Sequence, residues 1–173
     1  MGSRDLRRVY AIDPETWTVL EEREAPGIPW AAVATNGTLR FTVGEGPEDD
    51  RYLRTYDPAS GFGEDRIECP EFTGSYLSFD GAHLYLSQWY KHRILMLDVR
   101  GNVLRIIEVG AEKPNEDWRI ARLDPRQETP NVQDLARVPF ACRSLTFDGA
   151  YFWTNYRVAN EIVSFSLPNE QKS

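Results

Sequence analysis

The sequence predicts an all-β protein built from repeated four-stranded antiparallel sheets. Three segments share a pattern in which an alternating apolar–polar run, an Asn-Gly or Asp-Gly dipeptide and a second alternating run follow one another: residues 30–43, 75–88 and 143–155. A period of two is typical of half-buried strands, and these dipeptides tolerate the positive φ angles of a two-residue hairpin turn. Each segment therefore predicts a tight hairpin, whose strands we call a and b.

Further strands follow these hairpins and complete a repeating unit. A third strand, c, is predicted at residues 51–56, 93–97 and 161–167, and a fourth strand, d, at 65–69 and 103–109. Near the N-terminus, residues 9–20 repeat the c–turn–d half of the unit. The chain therefore contains about three four-stranded blades' worth of strands, in the order c-d, a-b-c-d, a-b-c-d, a-b-c.

The spacing of the repeats identifies the architecture as a β-propeller. Asn36-Gly37 and Asp80-Gly81 are 44 residues apart, which fits a propeller blade of about 40–50 residues. The next dipeptide, Asp148-Gly149, comes 68 residues later. The surplus predicts an irregular insertion at 111–142 within one domain spanning 1–173, and Asn131 is a candidate N-cap for a short helix over 131–138.

Composition narrows the classes of function. The 173 residues have a formal net charge of -7, which argues against the basic stripe that a nucleic-acid-binding protein needs. No apolar run has the length of a membrane span, and no signal peptide is recognisable. Two cysteines, Cys69 and Cys142, cannot form a disulfide framework or a four-thiolate zinc site. We therefore expect an acidic cytoplasmic protein without nucleic-acid or membrane partners.

Residues 79–98 and 147–166 carry a family resemblance: each runs from a Phe-Asp-Gly-Ala turn through a b strand into a c strand. These stretches resemble the repeats of the NHL, YVTN and streptogramin-lyase-like β-propellers. The resemblance implies a ring of six or seven blades closed within one chain, and about three blades are too few for that. We therefore expect a homodimer of two half-rings that makes six blades. The alternative is that the sequence is a fragment of a longer protein.

A binding site is expected on the loop face, which is the end of the sheets that carries the b–c loops and the d–a links. The b–c loops are predicted at 44–50, 88–92 and 155–160, and the d–a links at 27–30, 70–74 and 111–142. Aromatic side chains supply apolar contact area, and Lys or Arg can hold an anionic group. The candidate ligand-binding residues are Trp30, Trp89, Tyr90, Lys91, His92, Asn155, Tyr156 and Arg157.

Two functions remain open at the level of sequence. The first is the binding of a small molecule or a peptide at the loop face. The alternative is a lyase or hydrolase of the streptogramin-lyase-like or lactonase-like propeller type, with His92 as its weak catalytic candidate. The streptogramin-lyase-like enzymes use more than one histidine, and no matching pair is present here. No cofactor is predicted, and Glu48, Asp49 and Asp50 are weak candidates for a divalent cation site.

Overall fold

The computed structural model describes residues 1–88, 91–108, 120–122, 131–133, 144–156 and 161–167; of 120–122, 131–133, 156 and 161 it describes the backbone alone. Within these ranges the chain is all-β. The strands are β1 (Gly2–Ser3), β2 (Arg8–Ile12), β3 (Val19–Glu24), β4 (Ile28–Thr35), β5 (Thr38–Glu45), β6 (Asp50–Asp57), β7 (Gly61–Glu68), β8 (Leu77–Phe79), β9 (Leu84–Gln88), β10 (Arg93–Leu97), β11 (Val103–Glu108), β12 (Ile120–Arg122), β13 (Asn131–Gln133), β14 (Thr146–Phe147), β15 (Phe152–Tyr156) and β16 (Glu161–Phe165).

The strands form antiparallel sheets that confirm the predicted blade pattern. Strands β4-β5-β6-β7 make one meander and β8-β9-β10-β11 the next, so each has the a-b-c-d order. Strands β2 and β3 form the predicted c–d pair, which the two-residue strand β1 extends. Strand β8, the a strand of its sheet, contacts the a strands of both neighbouring sheets, β4 and β14. None of the described residues belongs to a helix with the length and hydropathy needed to cross a membrane.

The last sheet contains strands that the sequence did not predict. Its order is β13-β12-β16-β15-β14, so β12 from the 111–142 insertion lies beside β16 in the d position. The helix predicted to start at Asn131 is wrong at its beginning, because Asn131–Gln133 is strand β13 and pairs with β12. The remainder of that helix, and most of the insertion, lie outside the described residues. The homodimer stays a prediction.

Apolar layers between successive sheets form the core. One layer, around Val9, Phe41 and Tyr56, joins the first sheet to the second. A second layer, which includes Leu53 and Leu95, joins the second sheet to the third. A third layer lies between the third and fourth sheets; its buried members are Tyr85, Ile94, Met96, Ile107, Leu145, Phe152, Val163 and Phe165. The third sheet is therefore covered on both of its faces.

The a–b turns differ from one another in length. Thr35 pairs with Thr38, so Asn36-Gly37 is the predicted two-residue turn, with φ angles of 45° and 89°. Phe79 instead pairs with Leu84, which leaves a four-residue loop. The expectation of a two-residue turn is wrong there, because the Asp80 carboxylate organises a longer loop. Its Oδ1 accepts hydrogen bonds from the backbone N–H groups of Ala82 and His83 at 2.8 and 2.7 Å.

The Asp80 carboxylate also accepts a hydrogen bond from a buried ring of the next strand. The Tyr85 hydroxyl donates to Asp80 Oδ2 at 2.7 Å. The last hairpin repeats the arrangement, because Trp153 Nε1 donates to Asp148 Oδ2 at 2.6 Å. An aspartate followed five residues later by Tyr or Trp thus fixes both the turn and the second residue of the b strand.

Replacement of Leu95 by alanine is expected to reduce the free energy of unfolding by about 2–5 kcal/mol, because it leaves a cavity in the layer between two sheets. Leu95 is 2% exposed, whereas Leu104 on the neighbouring strand is 52% exposed. The control Leu104→Ala is expected to cost about 0.5 kcal/mol or less. Urea unfolding followed by circular dichroism measures both; equal losses would contradict the inter-sheet core.

Asp80→Asn is expected to reduce the acid sensitivity of the fold. Burial raises the pKa of Asp80, but the hydrogen bonds from His83, Ala82 and Tyr85 outweigh it and hold the pKa below its usual value. The carboxylate therefore stabilises the fold above its unfolded-state pKa, and this contribution is lost as the pH falls through the lowered value.

The measurement is the free energy of unfolding in urea between pH 6 and pH 2. Wild type should lose more stability over this range than Asp80→Asn. Asp65→Asn removes the same charge on β7, and no described residue hydrogen-bonds to the Asp65 carboxylate, so this control should behave as wild type. If Asp80→Asn lost as much stability between pH 6 and pH 2 as wild type does, the role given to Asp80 would be contradicted.

Candidate functional site

A cleft of about 310 Å³ opens on the loop face at the end of the second sheet, beside the link to the third. One wall is the end of the β5–β6 hairpin, and the other is the link from β7 to β8, so a b–c loop and a d–a link meet as the topology predicts. The residues that line the cleft are Glu48, Asp49, Asp50, Arg51, Glu68, Cys69, Pro70, Glu71, Phe72 and Thr73.

Asp49 organises the hairpin wall of the cleft. Its Oδ1 accepts a hydrogen bond from Trp30 Nε1 at 3.2 Å and pairs with the Arg51 guanidinium. Arg51 Nη1 also donates to the Asp49 carbonyl at 2.5 Å. The guanidinium carbons of Arg51 and Arg4 lie 4.6 and 4.9 Å from the centre of the Trp30 ring. The Arg51 guanidinium and the Asp49 carboxylate therefore bind each other within this wall of the cleft.

Two glycines permit this arrangement by bringing backbones close together. A Cβ atom on Gly44 would overlap the Asp49 carboxylate, and one on Gly27 would overlap the Gly44 carbonyl. Asp49 itself adopts a positive φ of 58°, which an aspartate tolerates better than most residues. Glycine at both positions is thus required for the Asp49 side chain to fold back under the hairpin.

Hydrogen bonds fix the opposite wall to both neighbouring sheets. Gly74 N donates to Ser87 O at 2.6 Å, and Gln88 Nε2 donates to Glu71 O at 2.6 Å. On the other side, Thr42 Oγ1 donates to Ser75 O at 2.8 Å. The link from β7 to β8 is therefore anchored near both of its ends, although it contains no regular secondary structure.

Four carboxylates in the cleft have no internal counter-charge. Glu48, Asp50, Glu68 and Glu71 line it, and in the described part of the chain no ion pair joins any of them to a basic side chain. Arg51, the basic residue in the lining, is paired with Asp49. The cleft therefore carries an excess of negative charge.

Phe72 presents an aromatic ring at the mouth of the cleft. Its φ of 62° is in the left-handed region, and the residue is 56% exposed. Lys91 Nζ lies 3.9 Å from the centre of this ring, which is within the range of a cation–π contact. Lys91 belongs to the β9–β10 hairpin, so a second b–c loop reaches the same site.

Cys69 forms the buried end of the cleft. The residue is 7% exposed, and its N–H donates to Arg51 O at 2.9 Å. Burial raises the pKa of the thiol to about 12, and the negative charge of Glu68 adds to this effect, while Arg51 opposes it. A thiol in this state is a poor nucleophile, because the thiolate is the reactive form.

The structure brings some of the sequence-predicted ligand residues together and separates others. Trp30 and Lys91 belong to the cleft region, as above. His92 follows Lys91 with a φ of 51° and is exposed, but it does not line the cleft. Asn155 lies on β15 in the last sheet, where its Oδ1 accepts a hydrogen bond from Ser144 Oγ at 2.8 Å. Tyr156 ends β15 and pairs with Glu161, and Trp89, Tyr90 and Arg157 lie outside the described residues.

The weak metal candidates do not assemble as a group. Among the residues that the structure describes, no three His, Cys, Asp or Glu side chains converge in a way that could hold a metal ion. Asp49 is turned towards Trp30 and Arg51. Glu48 and Asp50 line the cleft with Glu68 and Glu71 instead.

Sequence reasoning missed the residues of the β7–β8 link. Glu71 and Phe72 line the cleft but fall in a short link without alternation or a known motif, and Glu68 lies in the predicted d strand, to which the sequence assigns no ligand role. The topology predicts the d–a link at 70–74 on the loop face, where the cleft lies. The position of the link in the repeat therefore indicated the site, whereas its composition did not. Phe72, a large apolar residue in a short polar link, was the one residue there that could have been singled out.

This chain resembles known proteins in its fold. No family profile and no curated protein matches the sequence. The structure of BBS1N in complex with ARL6DN is 11% identical, with a TM-score of 0.51, and the match covers 98% of this chain and 60% of that one. A catalytically inactive virginiamycin B lyase from Staphylococcus aureus, crystallised with quinupristin, is 12% identical, with a TM-score of 0.47 and 95% and 75% coverage.

BamB from Moraxella catarrhalis gives a TM-score of 0.45 at 10% identity, with 97% of this chain and 54% of that chain covered. The BBS1N match and the four-stranded antiparallel sheets together show that the fold of this chain is β-propeller-like. The chain spans 54% to 75% of the lengths of these three proteins. Identities this low carry no information about a shared activity.

Cys69 is expected to resist alkylation in the folded protein. At pH 8 a thiol with a pKa of about 12 holds about a thousand-fold less thiolate than one with the ordinary value of 9.0. In a Cys142→Ser background, iodoacetamide should therefore label Cys69 about a thousand-fold more slowly in native buffer than in guanidinium chloride. Mass spectrometry measures both rates, and comparable rates would contradict the burial of this thiol.

Proposed function

We propose that this chain is a binding protein of the β-propeller type and takes a small molecule or a peptide at its loop face. The site is the cleft between the β5–β6 hairpin and the β7–β8 link. The observation that carries the proposal is the lining itself: the β5–β6 hairpin and the β7–β8 link hold unpaired carboxylates beside an exposed aromatic ring. Binding sites in proteins are concave in this way and combine apolar surface with a few polar groups.

The chemistry of the cleft favours binding over catalysis. A catalytic group needs a pKa suited to proton transfer or nucleophilic attack. Burial shifts the pKa of Cys69, which lines the cleft, in the direction that suppresses reactivity. His92, the base considered for a lyase or hydrolase, is outside the lining, and His83 bonds to Asp80 at the far end of β9. We therefore assign no reaction to this site.

The test is a ligand screen by two-dimensional amide NMR, with separate pools of cationic, anionic and neutral fragments and short peptides. At least one pool should shift the amide signals of residues 46–51 and 68–73. Phe72→Ala should abolish these shifts, because it removes the exposed ring of the cleft.

The matched control is Tyr76→Ala. Tyr76 is another exposed aromatic residue in the same link, at 43% exposure, but it does not line the cleft. This variant should keep the response of wild type. If no pool shifts the cleft signals, or if Phe72→Ala responds as wild type does, the proposed site is wrong.

A further inference from the structure

The ring of Phe72 is in contact with a cation of the protein itself, the side chain of Lys91. The Lys91 ammonium lies over one side of this ring at 3.9 Å, and more than half of the surface of Phe72 is still open to solvent. Two of the arginines that make cation–π contacts at this end of the second sheet are also in ion pairs, Arg51 with Asp49 and Arg66 with Glu45, while Arg4 shares the Trp30 ring with Arg51. Lys91 has no such carboxylate partner among the described residues. Its contact with the Phe72 ring is therefore the kind that a competing cation can replace.

The charges around the Phe72 ring also favour a cationic ligand. An anion that entered the cleft would meet Glu48, Asp50, Glu68 and Glu71 while the Arg51 guanidinium stays bound to Asp49. Like charges repel at these short distances. A cation would gain attraction from every one of the four, and the chain's net charge of -7 would steer it towards the protein.

The size and the apolar part of the lining indicate an organic cation. The volume of about 310 Å³ corresponds to roughly ten water molecules, which is enough for an alkyl chain that ends in a charged group. Phe72, Pro70 and Cys69 offer apolar surface for such a chain. A bare metal ion would need several converging oxygen ligands, and the described residues do not provide such a group.

We infer that the cleft binds an alkylammonium or alkylguanidinium group, and that Lys91 is an internal competitor which the ligand displaces from Phe72. The inference rests on the proposed function and names the chemical class of its ligand. The cation binds with its charged end among the carboxylates and its chain on the Phe72 ring. Lys91 lowers the affinity because its ammonium occupies that ring when the site is empty.

Isothermal titration calorimetry with spermidine and agmatine tests the inference, and a capped Gly-Arg-Gly-Arg peptide tests whether the same group is taken from a peptide. Binding should weaken as sodium chloride rises from 20 to 200 mM, because exposed charges are screened. If spermidine or agmatine binds, a small organic cation is sufficient for binding. If only the peptide binds, the cationic group of the ligand is a peptide side chain. Either result supports the inference.

Variants separate the roles of the individual residues. Lys91→Met should tighten binding about two- to fivefold, the value of an exposed cation–π contact. Glu71→Gln should weaken binding severalfold, and Glu68→Gln/Glu71→Gln should weaken it further. Glu64→Gln removes the same charge from β7 outside the cleft and should leave the affinity unchanged. Thermal unfolding of each variant establishes that it is folded.

Three results would overturn the inference. The first is that no cation binds wild type, while neutral or anionic compounds still shift the cleft signals; the proposed function would then survive without this ligand class. The second is equal weakening by Glu64→Gln and Glu71→Gln. The third is that Lys91→Met weakens binding, which would make Lys91 a ligand contact instead of a competitor.

Discussion

The burial of both faces of the β8–β11 sheet is the constraint on which the rest of the structure depends. Leu86 and Leu95 on one face, and Tyr85 and Ile94 on the other, are almost completely buried. A sheet with apolar residues on both faces must have a neighbour on each side, since exposure of either face would forfeit much of the hydrophobic stabilisation. The second, third and fourth sheets therefore pack face to face, and their loop ends lie next to one another.

The candidate site follows from this stacking. The cleft lies where the end of one hairpin meets the link to the next sheet, so neither wall could form it alone. The Gly27 and Gly44 backbones approach closely, which lets Asp49 bind Trp30 and Arg51 inside one wall. Hydrogen bonds from Thr42 and Gln88 hold the other wall to its neighbouring strands. Contacts within the protein therefore hold both walls of the cleft in place.

The sequence predicted the features that depend on local interactions. Alternation and turn dipeptides located the strands from β4 to β11 because side-chain direction and turn geometry are set by near neighbours. It failed where distant residues decide the outcome. Strand β12 pairs with β16, which lies far along the chain. The Asp80 turn is a different case, because its longer loop depends on hydrogen bonds from Ala82 and His83 to the Asp80 side chain, which the Asp-Gly dipeptide does not reveal. Phe72 lines the cleft because its link is anchored to strands of both neighbouring sheets, which the sequence of the link does not reveal.

Amide hydrogen exchange measured by NMR tests the central claim most directly. If the β8–β11 sheet is the doubly covered centre of the molecule, the amides of Leu86 and Leu95 should exchange only by global unfolding, and their opening free energy should equal the free energy of unfolding in urea. The amides of β3, which belongs to an end sheet, should open at lower cost. Exchange from β9 and β10 that is as fast as exchange from β3 would contradict the account.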